Sequence, residues 1–246
     1  MAVILIAGLF GGFVRGYSGF GFALASMPVL TLVLSPITAV PAVFPLEFAI
    51  GLLTLPAERA HVDLRVLRWL ALGAVLGTPL GMTVLTLLPA EIMRLVLGIA
   101  VAVAVFRAWR GEAAAKPQGR GKLAAIGFLS GCLNGGTAMS GPPVIVSLLG
   151  SNMPVLHARA TLIAFIAMSA GFGLLLSASH GSYSAQIWWI SLAMVPATAL
   201  GCGLGMLAFS QFPRRLYRPT SLSLLAAAMS IAIVTASLAV FNKAML

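Results

Sequence analysis

Eight apolar stretches, at residues 2–34, 36–57, 66–88, 91–109, 122–150, 155–179, 185–210 and 216–240, take up nearly the whole chain, and the short loops between them hold half of its charged residues. A helical bilayer crossing needs roughly 20 mostly apolar residues, so six of the stretches fit single crossings while 2–34 and 122–150 are too long for one. Only 8% of the 246 residues are charged and 60% are hydrophobic, where a soluble domain carries about 25% charged residues. Such a chain has too little polar surface to face water on all sides. The expectation is an all-α integral membrane protein with the lipid bilayer as its solvent.

The net charge of +10 would suit a phosphate backbone, but Arg and Lys sit in short loops between apolar segments, where membrane topology places them. Nucleic acid is therefore not an expected partner. Residues 1–14 lack a basic leader and a small-residue cleavage site, and read as mature membrane sequence. Cys132 and Cys202 lie inside apolar segments without CxxC spacing and read as packing residues. His61, His157 and His180 are scattered, and no HExxH, EF-hand, Walker A, Rossmann or G-x-S-x-G pattern occurs. Neither a metal site nor a cofactor is expected, and an enzyme is the least supported class.

The chain matches itself. Shifted by 115, GFVRGYSGFGFALASMPV at 12–29 lies over GFLSGCLNGGTAMSGPPV at 127–144, pairing Gly12 with Gly127, Gly16 with Gly131, Gly21 with Gly136 and Pro28 with Pro143. Shifted by 124, GTPLGM at 77–82 lies over GCGLGM at 201–206, with Pro89 over Pro213 and Arg94 over Arg218. The difference implies nine extra residues in the second half, placed near Ser179–Gln186. The reading is an N-terminal membrane repeat over 1–110, a polar cytoplasmic linker over 111–121 and a C-terminal membrane repeat over 122–246.

Eleven of the fifteen basic residues fall in three clusters: Arg59, Arg65 and Arg68; Arg107, Arg110, Lys116, Arg120 and Lys122; Arg214, Arg215 and Arg218. All three reach the cytoplasm, as the positive-inside rule favours, if 122–150 is a re-entrant hairpin and, by the repeat, 2–34 is one too. Each half then has one Gly/Pro-broken hairpin plus three transmembrane helices, an odd number, so the two repeats are inverted. Gly12, Gly16, Gly19 and Gly21 before Pro28, and Gly127, Gly131, Gly135, Gly136 and Gly141 before Pro142 and Pro143, supply residues that interrupt helices. Paired broken segments at matching places in two halves point to a transporter's binding site. Close helix packing through small residues is the other reading of the same glycines, and both can hold.

A half-helix that starts near the midplane offers free N–H groups and a positive dipole end to an anion. Ser18, Gly19 and Gly21 in the first segment and Asn134, Gly135, Gly136 and Thr137 in the second are the natural positions, with Ser26, Asn134 and Ser140 as side-chain donors. Arg15, Glu47 and Arg159 are the charged residues inside apolar segments, where charge is rare and usually functional. Arg15 pairs with Ser130 under the 115 shift; Arg15 or Arg159 would supply the charge for an anionic substrate, or else Arg15 snorkels to an interface. Glu47 is a coupling candidate, with a proton as coupling ion, or else part of a structural ion pair with Arg15 or Arg159. Arg94 reads as a helix-start residue, and Tyr183, Trp188 and Trp189 as an interfacial belt.

The Gly-rich opening with Pro28, GTPLGM at 77–82, and GFLSGCLNGGTAMSGPPVIVSLL at 127–149 followed by Arg159 resemble the sulfite exporter TauE/SafE family of membrane proteins over nearly the whole chain. The Gly-Pro-Pro motif of the second half is the more specific; the first departs from the family's triple-Gly run, having Gly19-Phe20-Gly21. The resemblance implies export of a small sulfur-containing anion, sulfite or an organosulfonate such as sulfoacetate, across a bacterial inner membrane. The expected function is a secondary transporter working by alternating access, with the site between the broken segments and a homo-oligomer left open. An anion channel, or an uptake permease for a different small anion, is the alternative.

Overall fold

The computed structural model describes residues 1–88, 92, 119–211, 220 and 223. The stretches at 91–109 and 216–240, most of the linker, the Arg214–Arg218 cluster, and the Pro89/Pro213 and Arg94/Arg218 matches lie outside the described residues. Within them the chain forms α1 (Ala2–Ser18), α2 (Phe22–Leu30), α3 (Pro36–Glu58), a short 3-10 turn (Arg59–His61), α4 (Leu64–Leu87), α5 (Arg120–Thr137), α6 (Gly141–Leu149), α7 (Val155–Ser179) and α8 (Ala185–Gln211), and no strand. Among the described residues four elements are long and apolar enough to cross a membrane: α3 with its 3-10 turn, α4, α7 and α8. The stretches too long for a single crossing are each broken into a long and a short helix, α1–α2 and α5–α6.

Glycine makes the tightest contacts. A Cβ on Gly73, Gly77 or Gly81 of α4 would overlap the carbonyls of Ala124, Phe128 or Cys132 on α5, and one on Gly127, Gly131 or Gly135 would overlap those of Leu70, Ala74 or Thr78. The α1·α8 pair is built alike, with Gly12 and Gly16 against Thr198 and Cys202, and Gly201 and Gly205 against Leu9 and Phe13. Both pairs run parallel, because partner numbers rise together. Bare backbones can approach this closely without a large hydrophobic driving force, which lipid does not supply. The small-residue packing reading of these glycines is thus realised, and the free cysteines Cys132 and Cys202 sit in the same seams.

Helices α3 and α7 cross antiparallel at the centre: Gly51 abuts Ala167, Gly171 abuts Phe48 and Gly173 abuts Phe44. Pro45 in α3 cannot donate to the Pro41 carbonyl one turn back. The Tyr183 hydroxyl donates to that oxygen instead, at 3.0 Å, and Ser191 donates to the next carbonyl, Ala42, at 2.9 Å. Tyr183 is thereby tied to the start of α3, besides stacking on Trp188 at 5.0 Å.

Each broken segment leaves and returns at one end of the bundle. Arg120, opening α5, lies over Trp69 near the start of α4. After α6 the chain comes back to the same end, where the Asp63 N–H donates to Thr161 and Arg159 pairs with Glu58. Arg59, Arg65 and Arg68 gather there too, with Asp63 accepting from the Arg65 and Val66 N–H groups to cap α4. At the other end Gly8 of α1 faces Met194 and Thr198, while the start of α3 meets Tyr183 and Ser191.

The register of the two segments differs from the 115 shift read in the sequence. Gly19 and Ala138 are the left-handed residues ending α1 and α5, with φ of 79° and 58°, and their N–H groups donate to Arg15 and Asn134. Ser18 and Thr137 just before them donate to Val14 and Leu133 and accept from Phe20 and Met139. Each of these pairs is 119 residues apart, so Arg15 corresponds to Asn134 rather than Ser130. Glycines four apart disguise the slip: one helical turn moves Gly12 from Gly127 onto Gly131 and still matches glycine to glycine.

Candidate functional site

The first break is the turn Gly19–Phe20–Gly21, in which both glycines have positive φ, a conformation a side chain would strain. It opens into α2, whose first N–H groups lack helical acceptors. Arg15, Glu47 and Arg159 converge around it and are 2%, 3% and 4% exposed, so none of them snorkels. The Arg15 guanidinium donates to the Gly19 carbonyl at 2.7 Å, closing α1, and its charge is near enough to act on Glu47. Glu47 lies on α3, and its Oε1 accepts from the Ala23 N–H in the first turn of α2, at 3.4 Å. Its Oε2 has no hydrogen-bond partner among the described residues.

Arg159 is committed elsewhere. It pairs with Glu58 at the end of α3, donates to the Gly16 carbonyl at 3.2 Å, and stacks over Phe209 at 4.1 Å. Its Cγ packs where a Gly19 side chain would stand. Glu58 has no functional signal in the sequence, and looks like a loop residue until the end of α3 is seen to lie against the start of α7. Removing one partner of a largely buried pair leaves an uncompensated charge, so Arg159→Ala is expected to cost about 3 kcal/mol. The Glu58→Ala, Arg159→Ala double variant should lose less than the two single losses together, as thermal unfolding of the four purified proteins would reveal.

The second break, Ala138–Met139–Ser140, opens into α6 behind Pro142 and Pro143. Asn134 donates to the Ser169 carbonyl on α7 at 2.9 Å. Its Oδ1, with the buried hydroxyls of Ser130, Ser140 and Ser169, has no partner among the described residues. Buried polar atoms are normally satisfied, so this group has unused hydrogen-bonding capacity in the core. Ser169 and Ser130 were not singled out as ligands in the sequence, because serine in a transmembrane helix is unremarkable without its neighbours.

The two breaks adjoin: Leu24 of α2 lies 3.6 Å from where a Gly141 Cβ would be. Of the expected anion ligands, Ser18 and Thr137 spend their hydroxyls spanning the turns, and Gly135 faces the Thr78 carbonyl as a packing glycine. Ser26 donates to Phe22 within α2. Gly136 is buried beside them. Among the described residues no three His, Cys, Asp or Glu side chains cluster as a metal site would require.

The family model described as "Sulfite exporter TauE/SafE" matches residues 4–233. A curated relative, "Probable sulfite/organosulfonate exporter TauE" of Cupriavidus necator, is 27% identical over 201 residues, covering 79% of this chain and 78% of that protein. No solved structure matches the chain.

Proposed function

The chain belongs to the sulfite exporter TauE/SafE family, and on that premise we propose that it is a secondary transporter exporting a small oxyanion, sulfite or an organosulfonate, across a bacterial inner membrane. The observation that carries this reading is the pair of adjoining chain breaks, each opening into a short buried helix beside otherwise unused polar atoms. Helix starts inside a membrane protein attract anions through free N–H groups and the dipole, and irregular backbone at that depth is tolerated where it lines a site. Arg15 supplies the positive charge, since Arg159 is already neutralised by Glu58. Glu47, beside Arg15, is the group through which a proton would couple.

Alternating access between two inverted halves is supported by three features. The α3·α7 crossing is antiparallel, the parallel α1·α8 and α4·α5 seams are built alike, and each broken segment returns to the end where it begins. Single cysteines placed at Gln118 and Arg215 should then be labelled only from the cytoplasm, and one at Ser182 only from outside. Arg215 labelled from outside would leave eight plain crossings as the better account. The substrate class is tested by thermal stabilisation of the purified protein: sulfite and simple sulfonates should raise Tm, and carboxylates should not. Equal stabilisation by every anion would contradict the assignment.

A further inference from the structure

We propose that the Glu47 carboxylate is a tethered competitor of the transported anion: both are ligands for the N-terminus of α2, and the anion enters only when Glu47 takes up a proton and gives up that place. This rests on the anion-transport reading above and adds to it how substrate binding is tied to proton uptake.

The break at Gly19–Gly21 leaves the first N–H groups of α2 facing a core in which Phe20, Phe22, Ala23 and Leu24 are all buried. Among the described residues one acceptor comes to them, Glu47 Oε1, by a long 3.4 Å bond to the Ala23 N–H. The other carboxylate oxygen, in a residue 97% buried, has no hydrogen-bond partner among the described residues. A structural carboxylate at a helix start normally accepts several short bonds. One held by a single long bond has little to lose by leaving. The place it fills is the one a substrate oxyanion would take, because the tethered carboxylate and a free sulfonate both present anionic oxygens to the same donors and dipole.

Charge makes the exclusion strict. Glu47 faces Arg15 from α1 and the uncharged first turn of α2. On α7 the nearest charge is Arg159, held by Glu58 toward the end of the bundle; α8 offers the Cys202 thiol, against α1 near Arg15, but no charged side chain, and the charges of α4 and α5 lie at their starts, at Arg65, Arg68, Arg120 and Lys122. Arg15 thus balances one negative charge, not two. A second anion beside ionised Glu47 would be an uncompensated buried charge. If –COO⁻ becomes –COOH with a proton from the side on which the anion loads, the charge of the site is unchanged. One proton then travels with each monoanion and is released with it. In the second half the residue 119 positions on from Glu47 is Ile166, and the start of α6 carries the Ser140 hydroxyl, which has no partner among the described residues. Among the described residues one of the two helix starts is thus filled by the protein's own anion and the other is not.

The test uses isethionate, a sulfonate whose charge does not change across the accessible pH range, titrated calorimetrically into the purified protein in buffers of different ionisation enthalpy. The wild type should take up about one proton per anion at alkaline pH, with affinity falling about tenfold per pH unit there. Glu47→Gln should bind without proton uptake and with an affinity independent of pH. Wild-type binding with no proton uptake would overturn the competition while leaving the anion site intact, as would a folded Glu47→Gln that no longer binds. Should no anion bind wild type or variant, the transport reading itself fails with it. If Glu47→Gln does not fold, proton uptake by the wild type decides alone.

Discussion

Valine at Gly201 or Gly205 is expected to abolish recovery of folded protein, whereas alanine at Gly203, between them, should leave the protein as stable as the parent or slightly more so. All three glycines belong to the run GCGLGM. A side chain at 201 would enter the Leu9 carbonyl and one at 205 the Phe13 carbonyl, and backbone on a packed helix cannot move aside. Overlap of this kind belongs with the rare substitutions costing more than about 4 kcal/mol. Among the described residues nothing lies within 4 Å of a would-be Cβ on Gly203, which lies in an open apolar groove with Leu200, Leu204 and Leu207. There alanine should gain up to about 1 kcal/mol of helix propensity. Size-exclusion yield and Tm of the three variants check this. A well-folded Gly201→Val would mean that α1 and α8 are not packed backbone to backbone.

Arg15→Gln should weaken anion binding by about a hundredfold or more, as loss of a desolvated, charge-assisted contact does. It should also destabilise the fold, for two separable reasons. The capping bond to the Gly19 carbonyl goes, a hydrogen bond from a charged donor worth about 1.5–3 kcal/mol, and Glu47 loses the cation beside it. Arg15→Gln combined with Glu47→Gln removes the second cause, so Tm should recover in part while binding does not. Recovery of binding together with stability would move the substrate's positive partner from Arg15 to Arg159.

The membrane class and the two breaks were legible in the sequence because hydropathy and Gly/Pro content are local properties. That Glu47 lies deep in an apolar run was legible too, whereas Arg15 read equally well as a snorkelling residue, and only its bond to the Gly19 carbonyl shows that it stays inside. The register was not legible. Glycines at four-residue spacing match equally well one turn apart, and only the left-handed turns at Gly19 and Ala138 choose between 115 and 119. The division of labour among glycines was hidden likewise: Gly16 and Gly135 pack against carbonyls while Gly19 and Gly21 form the turn, yet all four look alike in sequence. Partner choice depended on how helices end against one another. Glu58, next to a basic loop, gave no hint that it takes Arg159, nor did Glu47 that it reaches the start of α2.

The claim that the anion sits between the two breaks is tested most directly by isethionate and sulfite affinity in Asn134→Ala and Ser140→Ala, measured beside Tm. Among the described residues Asn134 Oδ1 and Ser140 Oγ are buried without partners, so removing the Ser140 hydroxyl should leave stability unchanged or raised, and Asn134→Ala should lose only its bond to Ser169, about 1 kcal/mol. The account predicts affinity falling about tenfold in each while the fold persists. Unchanged affinity in both folded variants would place the anion elsewhere and leave the second break as architecture alone.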